Sequence, residues 1–409
     1  MITRDKILQD ILNVPNPNIL LEAGTGIGKT YIALEKIKQL NCRKILIVIP
    51  RLVLIQNWKD EFIKWGCSEY LSDTTFITYV SLPKIASNTT IWDTVCYDEV
   101  HHLSERCRLA VPHIKSKYNI LLSATVKRTL KPELRRLFPN LYEYSVSLKE
   151  AVENEILPEP RIILIPLKLE TTLPSEELVY KPKAKIIKTL YYNQWIKGKW
   201  QYLKGNYPYG VKILCTQEQK NRELDEFIAN CTKRINNGAV KGINKIMVDQ
   251  ARKRKGLERL QWLAEIKSEF VKQLLQQLKN YRTLTFCYNT KQADYLSNNS
   301  IHSKNKESNT NLEKFNSKKI KHISAIDCLT EGINLADCKI LIFAKLDASQ
   351  LKQVQKLGRG LRHKNPVFIL PYYKDSKEEQ IVLEMTRDYD SSLITVATNP
   401  FNFNAYINR

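Results

Sequence analysis

The stretch EAGTGIGKTYIALEKIK, residues 22–38, places three glycines within five residues, directly before a lysine. The chain has only 13 glycines in 409 residues, so this concentration needs a reason. The preceding apolar run, Ile19–Leu21, is typical of a strand, and apolar residues recur at helical spacing afterwards. Because glycine lets the backbone turn sharply and approach a ligand closely, a strand, this turn and a helix predict a phosphate-binding loop.

The predicted loop assigns a role to each of its parts. Backbone N–H groups and the helix N-terminus would hold phosphate oxygens, Lys29 would reach the β- and γ-phosphates, and the Thr30 hydroxyl would bind Mg²⁺. The alternative is a glycine-rich turn that happens to precede a lysine, and both flanking segments argue against it. The residues expected to bind nucleotide are Ala23, Gly24, Thr25, Gly26, Ile27, Gly28, Lys29 and Thr30.

Length and charge narrow the class of protein. A chain of 409 residues is too long for one ordinary core, so two or three domains are expected. Hydrophobic residues make up 43% of the chain, as in soluble globular proteins, and the net charge is +22. Such a basic excess is typical of nucleic-acid binding, although general solubility or a genome-wide preference for lysine would also give it.

Hydropathy and cysteine usage point to a location. No apolar run approaches the roughly 18 residues of a membrane span, and the N-terminus lacks the apolar centre of a signal peptide. The nine cysteines are scattered, with no CxxC pair. We therefore expect reduced thiols, no membrane association and a cytoplasmic location, that of a bacterial or phage-infected cell being plausible.

A carboxylate pair follows a predicted buried strand. Thr94–Tyr97 runs directly into Asp98 and Glu99. Asp98 would hold Mg²⁺ through water, and Glu99 would orient and deprotonate the attacking water. A solvated loop pair is the alternative, but two acids directly behind a buried strand without a function would be costly in desolvation.

Further motifs occur in a fixed order. AGTGIGKT (23–30), DEVH (98–101) and SAT (123–125) precede YRTLTFCY (281–288), LTEGINL (329–335) and QKLGRGLR (355–362). This series resembles motifs I to VI of the superfamily 2 helicases, in the DExH group, nearest to the DNA-directed branch with phage helicases and restriction-enzyme motors. The resemblance implies an α/β fold with two RecA-like parallel-sheet domains in tandem, residues 1–145 and 146–409. We expect a basic, largely helical insertion at about 165–280.

The resemblance also assigns residues. Motif VI would supply Arg359 and Arg362 as arginine fingers, and its Gln355 would meet His101 of motif II across the domain cleft. The two arginines are three residues apart and so share a helix face; a solvated basic face is the alternative. Motif V would place Gly332 at the nucleotide. The family residues expected to contact nucleic acid are Pro50, Arg51, Gln56, Thr78, Tyr79, Ser81 and Thr330.

One segment of the insertion combines lysines with aromatic residues. Residues 181–220 contain nine lysines and one acid, interleaved with Trp195, Trp200 and five tyrosines. Lysines that follow phosphates and rings that stack on bases make a single-strand site. An aromatic packing segment with solvated lysines explains the pattern equally well.

These features together predict an ATP-dependent helicase or translocase. DNA is favoured over RNA as its substrate. An RNA-directed DExH helicase and a nucleic-acid-binding scaffold that uses ATP only as a clamp stay open as alternatives, while the ordered motifs of the second half argue against a simple P-loop kinase.

Overall fold

The computed structural model describes residues 2–52, 54–87, 89–180, 184, 187–203, 209–326, 337–347, 363–387, 389–397 and 406. Within these residues the chain forms two parallel sheets and one smaller mixed sheet. The predicted tandem RecA-like architecture is confirmed. Among the described helices, none has both the length and the hydropathy of a membrane-spanning segment.

The first sheet is built from the N-terminal strands. Its described strands run parallel in the order β3-β2-β4-β5-β1-β6. The strands are β1 (Asn18–Ala23), β2 (Ile45–Ile49), β3 (Thr74–Thr78), β4 (Ile91–Tyr97), β5 (Lys115–Ser123) and β6 (Tyr142–Val146). The accompanying helices are α1 (Arg4–Leu12), α2 (Lys29–Gln39), α3 (Leu54–Lys64), α4 (Leu82–Ile85), α5 (Glu105–Ala110), α6 (Lys131–Leu137) and α7 (Leu148–Glu153).

Both faces of this sheet are covered, which explains its continuous apolar strands. All five residues of β2 are buried. Ile45, Ile47 and Ile49 belong to one hydrophobic cluster, whereas Leu46 and Val48 belong to another. Successive side chains of a strand point to opposite faces, so β2 fills a core on each side of the sheet.

The second sheet has the strand order β12-β13-β11-β14-β15-β7-β16 among the described residues, again all parallel. Its strands are β7 (Arg161–Leu167), β11 (Thr283–Phe286), β12 (Ser300–Ile301), β13 (His322–Ala325), β14 (Ile340–Phe343), β15 (Val367–Tyr373) and β16 (Ile394–Val396). Its described helices of a turn or more are α11 (Ser268–Gln277), α12 (Thr290–Leu296), α13 (Ser308–Asn316) and α14 (Lys377–Thr386).

A smaller unit lies in the chain between β7 and α11. It contains β8 (Glu176–Tyr180), β9 (Ile187–Tyr191), β10 (Gly210–Cys215), α8 (Tyr192–Leu203), α9 (Gln217–Asn236) and α10 (Gly242–Ile266). The central β10 pairs antiparallel with β8 and parallel with β9. The expectation of a largely helical segment therefore missed a three-stranded sheet.

A buried ion pair joins this unit to the second sheet. Lys267, between α10 and α11, is fully buried, and its Nζ donates to Glu378 Oε1 at 2.6 Å and to the Pro371 carbonyl at 2.9 Å. Lys267 is the residue at which α10 ends and α11 begins.

Candidate active site

The predicted motor motifs of the first half meet at one edge of the first sheet. In a parallel sheet the carboxyl ends of all strands lie along the same edge. The phosphate-binding loop follows β1, Pro50 follows β2, Thr78 ends β3, Asp98 follows β4, and Ser123 ends β5. This edge is therefore the candidate site.

The phosphate-binding loop has the backbone that its glycines predict. Gly26 and Gly28 have φ angles of 99° and 103°, a region that side chains disfavour, and α2 begins at Lys29. Lys29 Nζ donates to the Ala23 carbonyl at 2.7 Å, so its ammonium lies against the loop. A phosphate in the loop would meet this cation and the N-terminus of α2, so the residues fit a nucleotide.

Asp98 and Glu99 form a mostly buried acidic pair. Glu99 adopts φ 52° and ψ 58°, a left-handed conformation that is strained for glutamate, and strained residues of this kind cluster at functional sites. Burial and then the Glu99 carboxylate raise the pKa of Asp98. Burial also acts to raise the pKa of Glu99, but the His101 hydrogen bond and the Lys29 charge outweigh it and lower that pKa. Glu99 is thus held ionised, as a base must be.

His101 links the acidic pair to the end of β5. Its Nδ1 lies 3.1 Å from Ser123 Oγ and 3.4 Å from Glu99 Oε2. The Ala124 N–H donates to the same Glu99 oxygen at 3.4 Å, and Ser123 Oγ donates to the Thr125 carbonyl at 2.9 Å. The DEVH and SAT segments therefore form one hydrogen-bonded unit around Glu99.

Two residues to which the sequence analysis gave no role at Asp98 hold this residue in place. Trp58 Nε1, on α3, donates to Asp98 Oδ2 at 2.9 Å, and the Tyr79 hydroxyl donates to the Asp98 carbonyl at 2.9 Å. Both rings are almost fully buried. A buried tryptophan N–H usually needs an acceptor, which is the signal that could have found Trp58.

The first-half residues predicted to contact nucleic acid are exposed or partly exposed, except for Tyr79. Arg51 and Gln56 are exposed, and Gln56 donates to Asp60 Oδ1 at 2.8 Å. Pro50, Thr78 and Ser81 are partly exposed at the same sheet edge, where the Thr78 and Ser81 hydroxyls lie 3.4 Å apart. Tyr79 differs, because its ring is 5% exposed and its hydroxyl is bound to Asp98. The prediction of a nucleic-acid contact is thus corrected for Tyr79, whose side chain is buried against Asp98 instead.

A cleft of about 430 Å³ opens beside the phosphate-binding loop. Gly26 lines it from the loop, and His363 and Lys364 line it from the segment that leads into β15. Arg4 on α1 and residues 155–158 complete the lining; Arg4 also donates to the Ile156 carbonyl at 2.9 Å. The volume lies in the range of small-molecule sites, so the cleft can accept a nucleotide.

Two family models match the chain. "Type III restriction enzyme, res subunit" matches residues 4–128, and "Helicase conserved C-terminal domain" matches residues 266–364. The chain belongs to superfamily 2 of the helicases. Its family therefore implies the use of ATP, usually with Mg²⁺.

A curated relative and two solved structures resemble this helicase. The DNA 3'-5' translocase XPB2 of Sulfurisphaera tokodaii is 25% identical over 398 residues, which cover 89% of this chain and 77% of the relative. S. cerevisiae Dbp5 bound to RNA and ADP BeF3 aligns with a TM-score of 0.63 at 10% identity, covering 99% and 91% of the two chains. The Pyrococcus furiosus Hef helicase domain aligns with a TM-score of 0.51 at 14% identity, covering 93% and 97%. The two structures support the fold.

The second-half motif residues of this helicase stay predictions. Thr330, Gly332, Gln355, Arg359 and Arg362 lie outside the residues that the structure describes. His363 directly follows Arg362 in the chain and reaches the cleft beside Gly26. The described chain therefore brings His363 and Lys364, which follow motif VI in the sequence, to the phosphate-loop side of the first sheet.

The predicted base-stacking role of Trp195 is corrected. Its side chain is fully buried, and its ring stacks between Tyr180 and Tyr202, with centroids 4.7 Å and 5.9 Å away. It belongs to the core of the small unit, so it presents no face to a nucleic-acid base. Trp200 lies on the same helix, α8, but its side chain is outside the described residues.

Proposed function

We propose that this helicase is an ATP-driven DNA translocase or helicase that hydrolyses ATP at the cleft between its two parallel-sheet domains. One observation carries the proposal: the P-loop lysine and the acidic pair lie at one sheet edge, beside a cleft also lined by the two residues after motif VI. DNA is favoured because a DNA translocase is similar over 89% of this chain.

The chemistry follows from the residues at the sheet edge. When bound, Mg²⁺–ATP supplies the phosphoanhydride bond to be cleaved and a cation that offsets the phosphate charge. Lys29 and the N-terminus of α2 bind the phosphates, and Thr30 and Asp98 would hold the metal. Glu99, which His101 and the Ala124 N–H keep oriented, accepts a proton from the attacking water.

The contacts of Asp98 connect hydrolysis to the strand-contacting segments. Trp58 stands two residues after Gln56 on α3, and Tyr79 follows Thr78. A nucleic-acid strand that moves either segment would therefore act on the backbone or the carboxylate of Asp98 through a single hydrogen bond. Arg359 and Arg362 would complete the site from the second domain and stabilise the transition-state charge.

ATP turnover measured with DNA and with RNA tests this function. Steady-state ATP turnover should rise with single-stranded or duplex DNA and rise less with RNA of the same sequence. Stimulation by RNA alone would favour the RNA-directed alternative, which the fold shared with RNA-bound Dbp5 supports. If the protein binds nucleotide but does not hydrolyse it with any nucleic acid tested, the scaffold that uses ATP only as a clamp would be favoured.

A further inference from the structure

The helices α9 and α10 form a hairpin that is buried mainly at its root, which is formed by residues 217–232 of α9 and 258–266 of α10; beyond the root, the described buried residue is Val240. They pack against each other, and the connection at residues 237–241 turns at Gly238, whose φ is 70°. α10 has 25 residues, a length of about 37 Å. Its buried residues, Arg259, Trp262, Leu263 and Ala264, all lie among its last eight residues. The opposite end of the hairpin therefore adds little to the core.

The root is fixed by specific contacts. Arg259 pairs with Asp225 of α9, and Trp262 Nε1 donates to Glu176 Oε2 on β8 at 2.9 Å. Lys199 Nζ contacts the buried Glu223 at 2.9 Å. Because α10 leads into the buried Lys267, the hairpin is anchored to the second parallel sheet at its root.

The distal end carries an apolar face with nothing packed over it. Ile243, Ile246 and Met247 are 77%, 58% and 61% exposed. Their spacing of three and four residues places them on one face of α10. All residues from 241 to 247 are exposed. Three large apolar side chains together in water indicate a surface that meets a ligand.

The charge of the hairpin reverses along its length. Residues 233–257 contain eight lysines and arginines and one acid, Asp249, which already pairs with Arg252 and Lys253. Residues 217–232, at the root, contain two basic and four acidic residues. The positive charge is thus concentrated around the apolar face, and the ligand of that face should be polyanionic.

We propose that the distal end of the α9–α10 hairpin binds unpaired nucleic acid, with its lysines on phosphates and the Ile243–Ile246–Met247 face against exposed bases. A polyanion with flat apolar surfaces matches this combination, and single strands expose such surfaces whereas closed duplex stacks them away. The proposal rests on the proposed function, because the hairpin would be a second binding site for the nucleic-acid strand on which the motor acts.

Two variants separate the apolar and the electrostatic contributions. Ile243→Gln/Ile246→Gln/Met247→Gln removes the apolar face, and Lys241→Gln/Lys245→Gln removes two exposed cations; glutamine is compatible with a helix. Affinities are measured by fluorescence anisotropy, without nucleotide, for a labelled single strand. Closed circular duplex serves as the second probe, by competition.

The expected results differ between the variants. Loss of the apolar face should weaken single-strand binding by about tenfold and leave duplex binding within about twofold. Loss of the two lysines should weaken binding to both probes and lower the slope of log affinity against log salt by up to about 1.4–1.8. Leu109→Gln/Leu173→Gln/Leu383→Gln, at sites 71%, 64% and 62% exposed, is the matched control and should bind like the unmodified protein.

Unchanged single-strand affinity in the apolar variant would overturn the proposal, as would an equal loss in the control. If the apolar variant lost binding to phosphatidylserine vesicles but bound DNA like the unmodified protein, the proposal would also be overturned. The apolar face would then be assigned to a membrane contact. Because these affinities are measured without ATP, failure of the hairpin is distinguishable from failure of the proposed motor, which would show as absent nucleic-acid-stimulated turnover in the unmodified protein.

Discussion

Trp58→Phe should weaken the use of Mg²⁺ by this helicase without unfolding it. The substitution keeps an aromatic ring on α3 but removes the N–H that donates to Asp98 Oδ2 at 2.9 Å. Loss of such a supporting hydrogen bond typically costs about 10- to 100-fold in metal affinity or activity. A hydrogen bond to a charged group is worth about 1.5–3 kcal/mol, so we expect the half-saturating Mg²⁺ concentration to rise about tenfold or more.

The direction of the pH dependence follows from the same bond. Burial and the Glu99 carboxylate raise the pKa of Asp98, and the Trp58 N–H acts to lower it. Without that N–H the pKa rises further, so a larger fraction of Asp98 is protonated at neutral pH and unavailable to metal. The difference in half-saturating Mg²⁺ should therefore shrink as the pH increases from 7 to 9.

The assay is ATP turnover titrated with Mg²⁺ at several pH values, on variants checked by thermal unfolding. Trp92→Phe is the matched control, because Trp92 is 8% exposed on the same strand that leads to Asp98, but about 17 Å before its end. Equal Mg²⁺ requirements in Trp58→Phe and the unmodified protein at every pH would show that the Trp58 hydrogen bond does not support Mg²⁺ binding by Asp98. A shift of the same size in Trp92→Phe would assign the effect to lost packing.

Three further predictions concern the phosphate loop, motif VI and the core. Lys29→Ala should abolish measurable ATP turnover because the loop loses its cation; substantial residual turnover would contradict the P-loop assignment. Arg362→Ala should lower nucleic-acid-stimulated turnover by about 10³-fold or more, with a much smaller loss of ATP-analogue binding. Arg362→Lys should recover little of this turnover. A larger loss in binding than in turnover would show that Arg362 is not an arginine finger. Lys267→Met should lower the free energy of unfolding by about 3–5 kcal/mol in denaturant titrations, since it leaves Glu378 buried without its cation, and unchanged stability would show the pair to be dispensable.

The sequence alone predicts that the first-half motifs lie at one sheet edge, because these motifs follow local rules. Apolar strands that end in polar motifs must present those motifs at one edge of a parallel sheet, and Lys29 begins a helix behind glycines at positive φ. The order of the motifs then predicted two parallel sheets. None of this needs knowledge of distant contacts.

Contacts between distant residues were not predictable in the same way. Trp58 and Asp98 are 40 residues apart and meet only because β2 and β4 are neighbours, which periodicity does not reveal. Trp195 was open to either interpretation, because lysines around a ring are found both on binding surfaces and at the edge of a core. The sheet of the small unit places that ring in the interior.

The most direct test of the account is steady-state ATP hydrolysis by Glu99→Gln and the unmodified protein, with and without saturating single-stranded DNA. Glutamine cannot accept a proton, so the variant should bind ATP and Mg²⁺ yet show no turnover above background, while DNA stimulates the unmodified protein severalfold. Turnover near the unmodified rate in Glu99→Gln, or an unmodified protein whose turnover no nucleic acid increases, would contradict the claim that this site drives a nucleic-acid motor.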